Sequence, residues 1–333
     1  MITEMDSDTF FFIRRTRARP PGRARCEERR ATYGTALEQF EELIKAAGDA
    51  SPGVRPLPLF YAMSQAGRAI AAANLSDGWK LYGHGLSCPD LSVADVLDLA
   101  IKPSKNRDPG RPDSFHGVAA ATESGVPAAP IKLGALWLAL PEVSKLLADA
   151  DAATQWPEAV VAFPSETTTS PLERFDRVEV ALVGWKHADG SSLAADLPNY
   201  ANTADASYEE HPGIGIRVTH LREGVGLTTF WPTQAPDLAA RQNTLDRVVP
   251  SAPGGHRWLR PRVNGAAMND LMMWWALTFG LSMLARYEPA GWNAMLDLDH
   301  GALSSHLVRL LDAAVDVLPE LVLRALEPSY VMI

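Results

Sequence analysis

The stretch PLFYAMSQAGRAIAAAN, residues 58–74, carries the pattern that decides the fold. Apolar and small residues cover most of its helical circumference, which is typical of a helix packed on several sides. At about 100° per residue, its polar groups fall on one stripe roughly 100° wide. The stripe consists of Tyr61, Ser64, Gln65 and Arg68. The pattern predicts a helix from about Pro58 to Asn74 with one polar stripe.

Arg68 is the residue of this helix that most needs an explanation. No other formal charge occurs between Arg55 and Asp77, and burying an unpaired charge is costly. One alternative is that the planar guanidinium binds a ligand phosphate or carboxylate, with Tyr61, Ser64 and Gln65 as hydrogen-bonding neighbours. The other is a structural ion pair, for which the candidate carboxylates are Glu38, Glu41, Asp98 and Glu288.

The turn YGHGLS, residues 82–87, follows this helix closely. Glycines on both sides of His84 allow unusual backbone angles and a close approach to another surface. An imidazole can act as acid, base or hydrogen-bond donor near neutral pH. His84 is therefore the candidate catalytic residue, and a purely structural histidine is the alternative.

A second candidate site lies in ARYEPAGW, residues 285–292. Arg286 and Tyr287 end a long apolar helix, and a cation near a helix C-terminus is favourable by about 0.3–1 kcal/mol. Capping alone explains Arg286 in one interpretation. In the other, the two helical ends of the chain pack together, and Arg286 and Tyr287 join Arg68 and His84 around one anion.

The order of predicted elements indicates an α+β fold, in which helical N- and C-terminal segments pack together and a mainly antiparallel sheet is inserted between them. Residues 159–263 contain short alternating runs rich in β-branched and aromatic residues, namely AVVAF, RVEVALVGW, GIGIRVTHL, GLTTFW and RWLRPRV. The expected organisation is a basic arm at 1–26, a helical core at 27–150 and 264–333, and the β-rich region at 159–263. The last helix is expected to resume at Gly301, with Asp299 as a candidate N-cap, and to be interrupted near Pro319.

Composition narrows the class of protein. Hydrophobic residues make up 47% of the chain and charged residues 21%, which indicates a folded globular protein. The net charge of −9 argues against a nucleic-acid-binding surface all round the molecule. The local exception is RRTRARPPGRARCEERR, residues 14–30, with eight arginines. We interpret it as a solvated, partly disordered basic arm, and an arm that binds nucleic-acid phosphates is the less favoured alternative.

Cellular location and membrane association also follow from the sequence. Cys26 and Cys88 form neither a disulfide framework nor a metal-spaced set, which favours a reducing cytoplasm. No signal-peptide pattern is visible. The apolar stretch at 271–285 spans only about 22 Å as a helix, against about 30 Å for a bilayer core. We therefore expect a cytoplasmic protein without membrane association.

Several chemistry-bearing patterns fail on spacing or context. The run LDLDHGALSSH supplies Asp297, Asp299, His300 and His306, but not at the spacing of a defined metal site, so no metal is predicted. No P-loop, HExxH, GxSxG or zinc-spaced cysteine set occurs, so the cofactor stays open. Arg111 and His116 in GRPDSFH have the arginine-to-histidine spacing of HEPN-type ribonucleases, which belongs on a helix, whereas two prolines and a glycine place its start in a loop. A HEPN-like ribonuclease is therefore kept only as an alternative.

Four segments together resemble the YaaC-like proteins of bacteria. They are ALEQFEEL, PLFYAMSQAGRAIAAA, WKLYGHGL and FGLSMLARYEPAGW, in that order along the chain. The basic arm before Glu27 lies outside this resemblance, and the middle sheet contributes little to it. The resemblance implies no established activity, but it draws attention to Gln39, Tyr61, Gln65, Arg68, His84, Gly85, Arg286, Tyr287 and Trp292.

The sequence leads to one main functional hypothesis and two alternatives. The main one is a pocket in the helical core that binds a phosphate-bearing small molecule through Tyr61, Ser64, Gln65, Arg68 and His84, joined by Arg286 and Tyr287. The first alternative is a phosphodiester-cleaving or other hydrolase with His84 or His116 as general base. The second is an interaction module or homodimer that uses its apolar helices. Whether the chain is an enzyme stays open at this point.

Overall fold

The computed structural model describes residues 4–105, 108, 110–148, 160–164, 177–183, 197–201, 207–208, 227–232, 246, 249–251, 257–299 and 301–327. The chain divides into two compact units. One unit comprises Met1–Trp156 with Met268–Ile333, and the other comprises Pro157–Ala267.

The first unit is mainly helical. Its helices are α1 (Glu4–Ala18), α2 (Glu27–Asp49), α3 (Pro56–Asn74), α4 (Ser114–Ala121), α5 (Leu133–Ala139), α6 (Ser144–Ala148), α7 (Asp270–Tyr287), α8 (Pro289–Met295) and α9 (Ser304–Leu326). Three short strands, β1 (Leu86–Ser87), β2 (Ala100–Pro103) and β3 (Ile131–Lys132), form an antiparallel sheet in the order β1-β2-β3. Among the described helices, none is both long enough and apolar enough to cross a membrane.

Helix α3, which the sequence predicts, is the centre of this unit. A proline in its first turn is compatible with a helix start, and the small apolar residues that follow let other helices approach closely. α2, α4, α7 and α9 all pack against it. A Cβ at Gly67 would lie 2.6 Å from the Trp275 ring of α7 and 2.8 Å from Val118 of α4. Gly67 therefore sets how closely α3, α4 and α7 approach one another.

The N- and C-terminal helical segments pack together, which confirms the α+β prediction. Phe60 of α3 meets Phe279 of α7 edge-to-face, with ring centroids 5.2 Å apart. Trp292 of α8 is buried, and its indole Nε1 donates to the Gly53 carbonyl at 3.0 Å. The Asn74 amide donates to the Ala325 carbonyl of α9 at 3.1 Å. Contacts between residues more than 200 positions apart thus hold the helical unit together.

The second unit contains an antiparallel sheet in the order β6-β7-β5-β4-β8. Its strands are β4 (Val160–Pro164), β5 (Arg177–Val183), β6 (Ser207–Tyr208), β7 (Leu227–Pro232) and β8 (Arg257–Leu259). β5 is paired with β4 and β7, with Val183 opposite Val161 and Leu182 opposite Leu227. Four of the five predicted strands coincide with β4, β5, β7 and β8, and the predicted strand GIGIRVTHL lies outside the described residues.

Helix boundaries differ from the sequence prediction at the two ends of the helical unit. The prediction of a partly disordered basic arm is wrong, since this segment contains α1. Phe10 and Ile13 of α1 are buried because α1 packs against α2 and α9. α9 continues through Pro319 because burial along its length outweighs the lost hydrogen bond. The predicted N-cap Asp299 is wrong, since α9 begins only at Ser304 and its N-cap position is Leu303.

Candidate functional site

The polar stripe of α3 is exposed. Tyr61 is 44% exposed, Arg68 is exposed, and Ser64 and Gln65 are half-buried, whereas the rest of the helix from Leu59 is largely buried. Arg68 Nη1 donates to Gln65 Oε1 at 3.1 Å. Because residues three and four apart lie next to each other on a helix, the four side chains form one continuous polar surface.

The structural ion pair considered for Arg68 is wrong. Among the described residues, no carboxylate lies within ion-pair distance of its guanidinium. Three of the four candidate carboxylates pair with other cations: Glu38 with Arg17, Glu41 with Arg14 and Lys45, and Asp98 with Lys132. A carboxylate partner for Arg68 was expected on the assumption that its guanidinium is buried. That assumption is wrong, because the stripe faces solvent and the guanidinium keeps its hydration.

His84 lies beside this stripe. Its exposed imidazole packs on Phe60, with ring centroids 5.5 Å apart, and lies 6.3 Å from the Phe279 ring. Ser64 follows Phe60 by one helical turn on the same side of α3, so the imidazole borders the Phe60 end of the stripe, at the junction of α3 and α7. The aromatic contacts fix the side of the turn on which the imidazole lies.

The Gly83–Gly85 turn is bonded to the segment that starts α4. Tyr82 N donates to the Pro112 carbonyl at 3.1 Å, and Phe115 N donates to the His84 carbonyl at 3.2 Å. Gly83 has φ +66° and Gly85 has φ +79°, in the left-handed region that glycine adopts without strain. A Cβ at Gly85 would also lie only 2.5 Å from Asp113 Cγ. The turn therefore requires glycine at position 85 for two reasons.

Asp113 and His116 form a carboxylate–imidazole pair under this turn. His116 Nδ1 lies 2.9 Å from both Asp113 carboxylate oxygens, and both side chains are about 15% exposed. Asp113 also accepts from the His116 backbone N at 2.9 Å as the N-cap of α4, and from Ser104 Oγ at 2.5 Å. Burial alone would raise the pKa of this carboxyl, but the hydrogen bonds from His116 and Ser104 outweigh it and lower the pKa.

The Asp113–His116 pair determines which nitrogen of the imidazole carries a proton. An ionised carboxylate only accepts hydrogen bonds, so Nδ1 carries a proton, and in the neutral imidazole Nε2 is then the acceptor. The same arrangement orients the histidine base of hydrolytic triads. Arg111 lies two residues before Asp113, with its guanidinium carbon 3.9 Å from the centroid of the Tyr82 ring. Arg111 precedes α4 rather than lying on it, so the helical ribonuclease motif is not formed, as predicted from its prolines.

Arg286 and Tyr287 do not share a site with Arg68. α3 and α7 run antiparallel, since Gly67 faces Trp275 while Phe60 faces Phe279. Arg68 lies about 12 Å from Phe60 along α3, and Arg286 lies about 10 Å from Phe279 along α7 in the opposite direction. The composite site expected from the sequence is therefore wrong. Exposed Arg286 lies over the Tyr287 ring instead, 5.1 Å from its centroid.

The remaining singled-out residues have ordinary roles or lie apart. Trp292 is a packing residue, and Gln39 is exposed on α2. Asp297 and Asp299 are exposed in the loop before α9, and His300 lies outside the described residues. Within the described part of the chain, no group of three or more histidine, cysteine or acidic side chains could hold a metal ion.

Comparison with known families fits the helical segments described above. The family model of the YaaC-like protein matches residues 14–326, nearly the whole chain. The chain belongs to the YaaC-like protein family. The match includes residues 14–26, so the expectation that the arginine-rich segment lies outside the family pattern is wrong. No significant match was found among curated proteins or among solved structures.

Two residues of the cluster around His116 were not predicted from the sequence, Asp113 and Ser104. The available signal was the pattern PDSFH, in which an aspartate precedes a helix start by one residue. That pattern predicts an N-cap, and residue N3 of the helix is then placed to bond the capping carboxylate. The contact of Ser104 with Asp113 had no signal in the sequence, because it depends on where β2 ends.

Proposed function

We propose that this YaaC-like protein binds a phosphate-bearing small molecule on the face formed by the α3 stripe and His84. The observation that carries the proposal is the state of Arg68. Its guanidinium is held by the Gln65 amide, and in the described part of the chain it has no carboxylate partner. A guanidinium has five N–H donors in a planar fork, so most of them are open to an oxyanion.

The neighbours of Arg68 suit an anion. The stripe carries no acidic side chain, and Tyr61 and Ser64 each offer a hydroxyl on the same face. His84 borders the Phe60 end of the stripe, about two helical turns from Arg68, so its imidazole can donate to a part of the ligand away from the phosphate. The face is a shallow surface, so we expect contacts to the charged group of the ligand to dominate binding. Salt screens the charge contacts of exposed groups, so the affinity should fall as the salt concentration rises, and the protein is purified at low salt for the test below.

The proposal is tested by mass spectrometry of small molecules released when the purified protein is denatured. We expect a phosphorylated compound from the wild type and none from Arg68→Gln. Arg286→Gln is the matched control, because it removes the same charge from an exposed position roughly 20 Å away along the helices. Equal retention by all three proteins, or no released phosphorylated compound from any, would refute the proposal.

A second candidate function, phosphodiester hydrolysis, is favoured by the Asp113–His116 pair. His116 Nε2 would take a proton from water as the water oxygen forms a bond to phosphorus. The bond from phosphorus to the leaving oxygen then breaks, and the imidazolium returns the proton to that oxygen.

The hydrolase is tested by following products from RNA and from nucleotide diesters over time. We expect His116→Ala to abolish turnover and Asp113→Asn to lower it by about 10²-fold or more, because the amide misorients the imidazole. His306→Ala is the control, since His306 lies on α9, far from this pair in the chain. Turnover that survives His116→Ala excludes this assignment.

A further inference from the structure

The eight arginines between Arg14 and Arg30 fall into two groups in the structure. Arg14, Arg15 and Arg17 are paired with carboxylates on α2 or at the end of α9. Arg29 is buried and donates to main-chain carbonyls at the end of α3. The four remaining arginines are exposed, and within the described part of the chain none forms an ion pair: Arg19, Arg23, Arg25 and Arg30.

The segments that carry these four arginines meet at one region, the C-terminal end of α3, and we call the four arginines the basic corner. A Cβ at Gly22 would lie 2.5 Å from the Ala73 carbonyl oxygen, so the 3-10 helix Gly22–Arg25 lies directly on α3. Arg29 in the first turn of α2 donates to the Ala72 carbonyl at 3.2 Å and to the Ser76 carbonyl at 2.7 Å. The end of α1, the 3-10 helix and the start of α2 therefore surround the same helix end.

The segment after α3 completes this corner. The Arg29 guanidinium carbon lies 5.1 Å from the centroid of the Trp79 ring, and Lys80 Nζ lies 5.2 Å from it. Lys80 also pairs with Glu28 at 3.5 Å. The other acidic residues of these segments are Glu27 and Asp77, so cations outnumber anions in the corner although the chain as a whole is acidic.

The composition of the corner selects a class of partner. All four of its free cations are arginines, whose planar forks match phosphate oxygens in a bidentate manner. A membrane surface would call for exposed apolar anchors, yet none of the large exposed hydrophobic residues among the described positions lies at 19–30 or 74–80. We propose that the basic corner binds the sugar-phosphate backbone of a nucleic acid, independently of base sequence. This site is separate from the α3 stripe and does not rest on the proposed small-molecule function.

The test uses the full chain and substitutes glutamine at three corner positions, Arg19, Arg23 and Arg30. The control variant changes three exposed cations elsewhere, Lys102, Lys105 and Arg309, so that both proteins lose the same charge. Deleting the N-terminal segment is unsuitable, because α1 packs with Phe10 and Ile13 buried. Binding is measured by fluorescence anisotropy with a labelled 20-nucleotide single strand, a duplex of the same length and anionic vesicles, over a series of salt concentrations.

We expect the wild type and the control variant to bind both nucleic acids with a marked salt dependence. The corner variant should lose about tenfold or more in affinity at low salt. The slope of log Kobs against log salt for the single strand should fall in magnitude by about 2, because each lost phosphate contact removes about 0.7. Circular dichroism verifies that the corner variant is folded.

Three outcomes would overturn the proposal. One is that the wild type binds neither nucleic acid at low salt. Another is that the corner and control variants lose equal affinity, which would indicate diffuse electrostatics. The third is that vesicles bind and nucleic acids do not, which would make the corner a membrane-contacting surface. Loss of a small molecule on Arg68→Gln has no bearing on any of these results.

Discussion

Replacing Gly85 with alanine should destabilise the helical unit far more than the same change at Gly83. Both glycines have positive φ, +79° and +66°, so each alanine carries a similar backbone penalty of about 1–2 kcal/mol. The surroundings differ: nothing lies within 4 Å of a Cβ at Gly83, whereas a Cβ at Gly85 would meet the Asp113 carboxylate and lie 2.9 Å from Phe115 Cβ. Gly83→Ala is therefore a control for backbone strain alone.

The additional cost of Gly85→Ala comes from the displaced carboxylate. Asp113 must move away from the new methyl group, which disturbs its hydrogen bonds from Ser104 and His116. A hydrogen bond to a charged group is worth about 1.5–3 kcal/mol. We therefore expect Gly85→Ala to cost at least about 2 kcal/mol more than Gly83→Ala.

The free energy of unfolding of both variants is measured by urea titration, followed by circular dichroism at 222 nm. Comparison of the slopes with urea checks that the variants unfold in the same manner as the wild type. A second readout is the tautomer of His116 by ¹⁵N NMR, which should lose its Nδ1-protonated preference in Gly85→Ala only. If the two alanine variants cost the same within about 0.5 kcal/mol, the close approach of the turn to Asp113 is refuted.

Three further predictions follow from named contacts. The lowered pKa of Asp113 means that its contribution to stability is present above its ordinary pKa and is lost as the pH falls through its pKa in the folded protein. Acid titration of stability should therefore be shallower for Asp113→Asn than for the wild type, and identical curves would contradict this. Arg14→Gln should lower the free energy of unfolding in urea by about 1–3 kcal/mol, because the Glu41 side chain is only 8% exposed and loses its bonds to Arg14. Arg15→Gln should lower it by under about 0.5 kcal/mol, because Arg15 belongs to an exposed pair at 3.6 Å. Burial raises the pKa of the Cys88 thiol to about 12, whereas Cys26 is exposed. Brief alkylation at pH 8, followed by peptide mass spectrometry, should therefore find Cys26 modified first. Faster labelling of Cys88 would contradict its burial.

The central helix was the most predictable part of the fold, because its pattern depends only on local sequence. A run of small and apolar residues interrupted at positions 61, 64, 65 and 68 predicts the helix and its polar stripe, although it does not show that the stripe faces solvent. The helical ends were predicted less well. Whether α1 is a free arm depends on partners such as α9, which lies some 300 residues away. Continuation through Pro319 depends likewise on burial that no local pattern shows.

The candidate site was predictable only where its residues share one helix. Tyr61, Gln65 and Arg68 are neighbours by helical periodicity alone. The predicted ion pair of Arg68 with a carboxylate was wrong, because the positions of charged residues in the sequence do not show which face of the helix is covered. The separation of Arg286 from Arg68 likewise required the antiparallel arrangement of α3 and α7, which follows from tertiary contacts at Phe60 and Gly67.

The Gly-His-Gly turn connects the two candidate sites, and this makes His84 a selective probe. The His84 side chain contacts Phe60 and Phe279 beside the α3 stripe, whereas its main-chain carbonyl accepts from Phe115 N at the start of α4. Alanine at this position removes the first contact and keeps the second, since the carbonyl belongs to the backbone. His84→Ala should therefore weaken a ligand bound at Arg68 and leave the Asp113–His116 pair in place. If the variant abolishes hydrolysis without affecting the bound small molecule, His84 serves the Asp113–His116 pair rather than the stripe, and its proposed role in ligand binding is wrong.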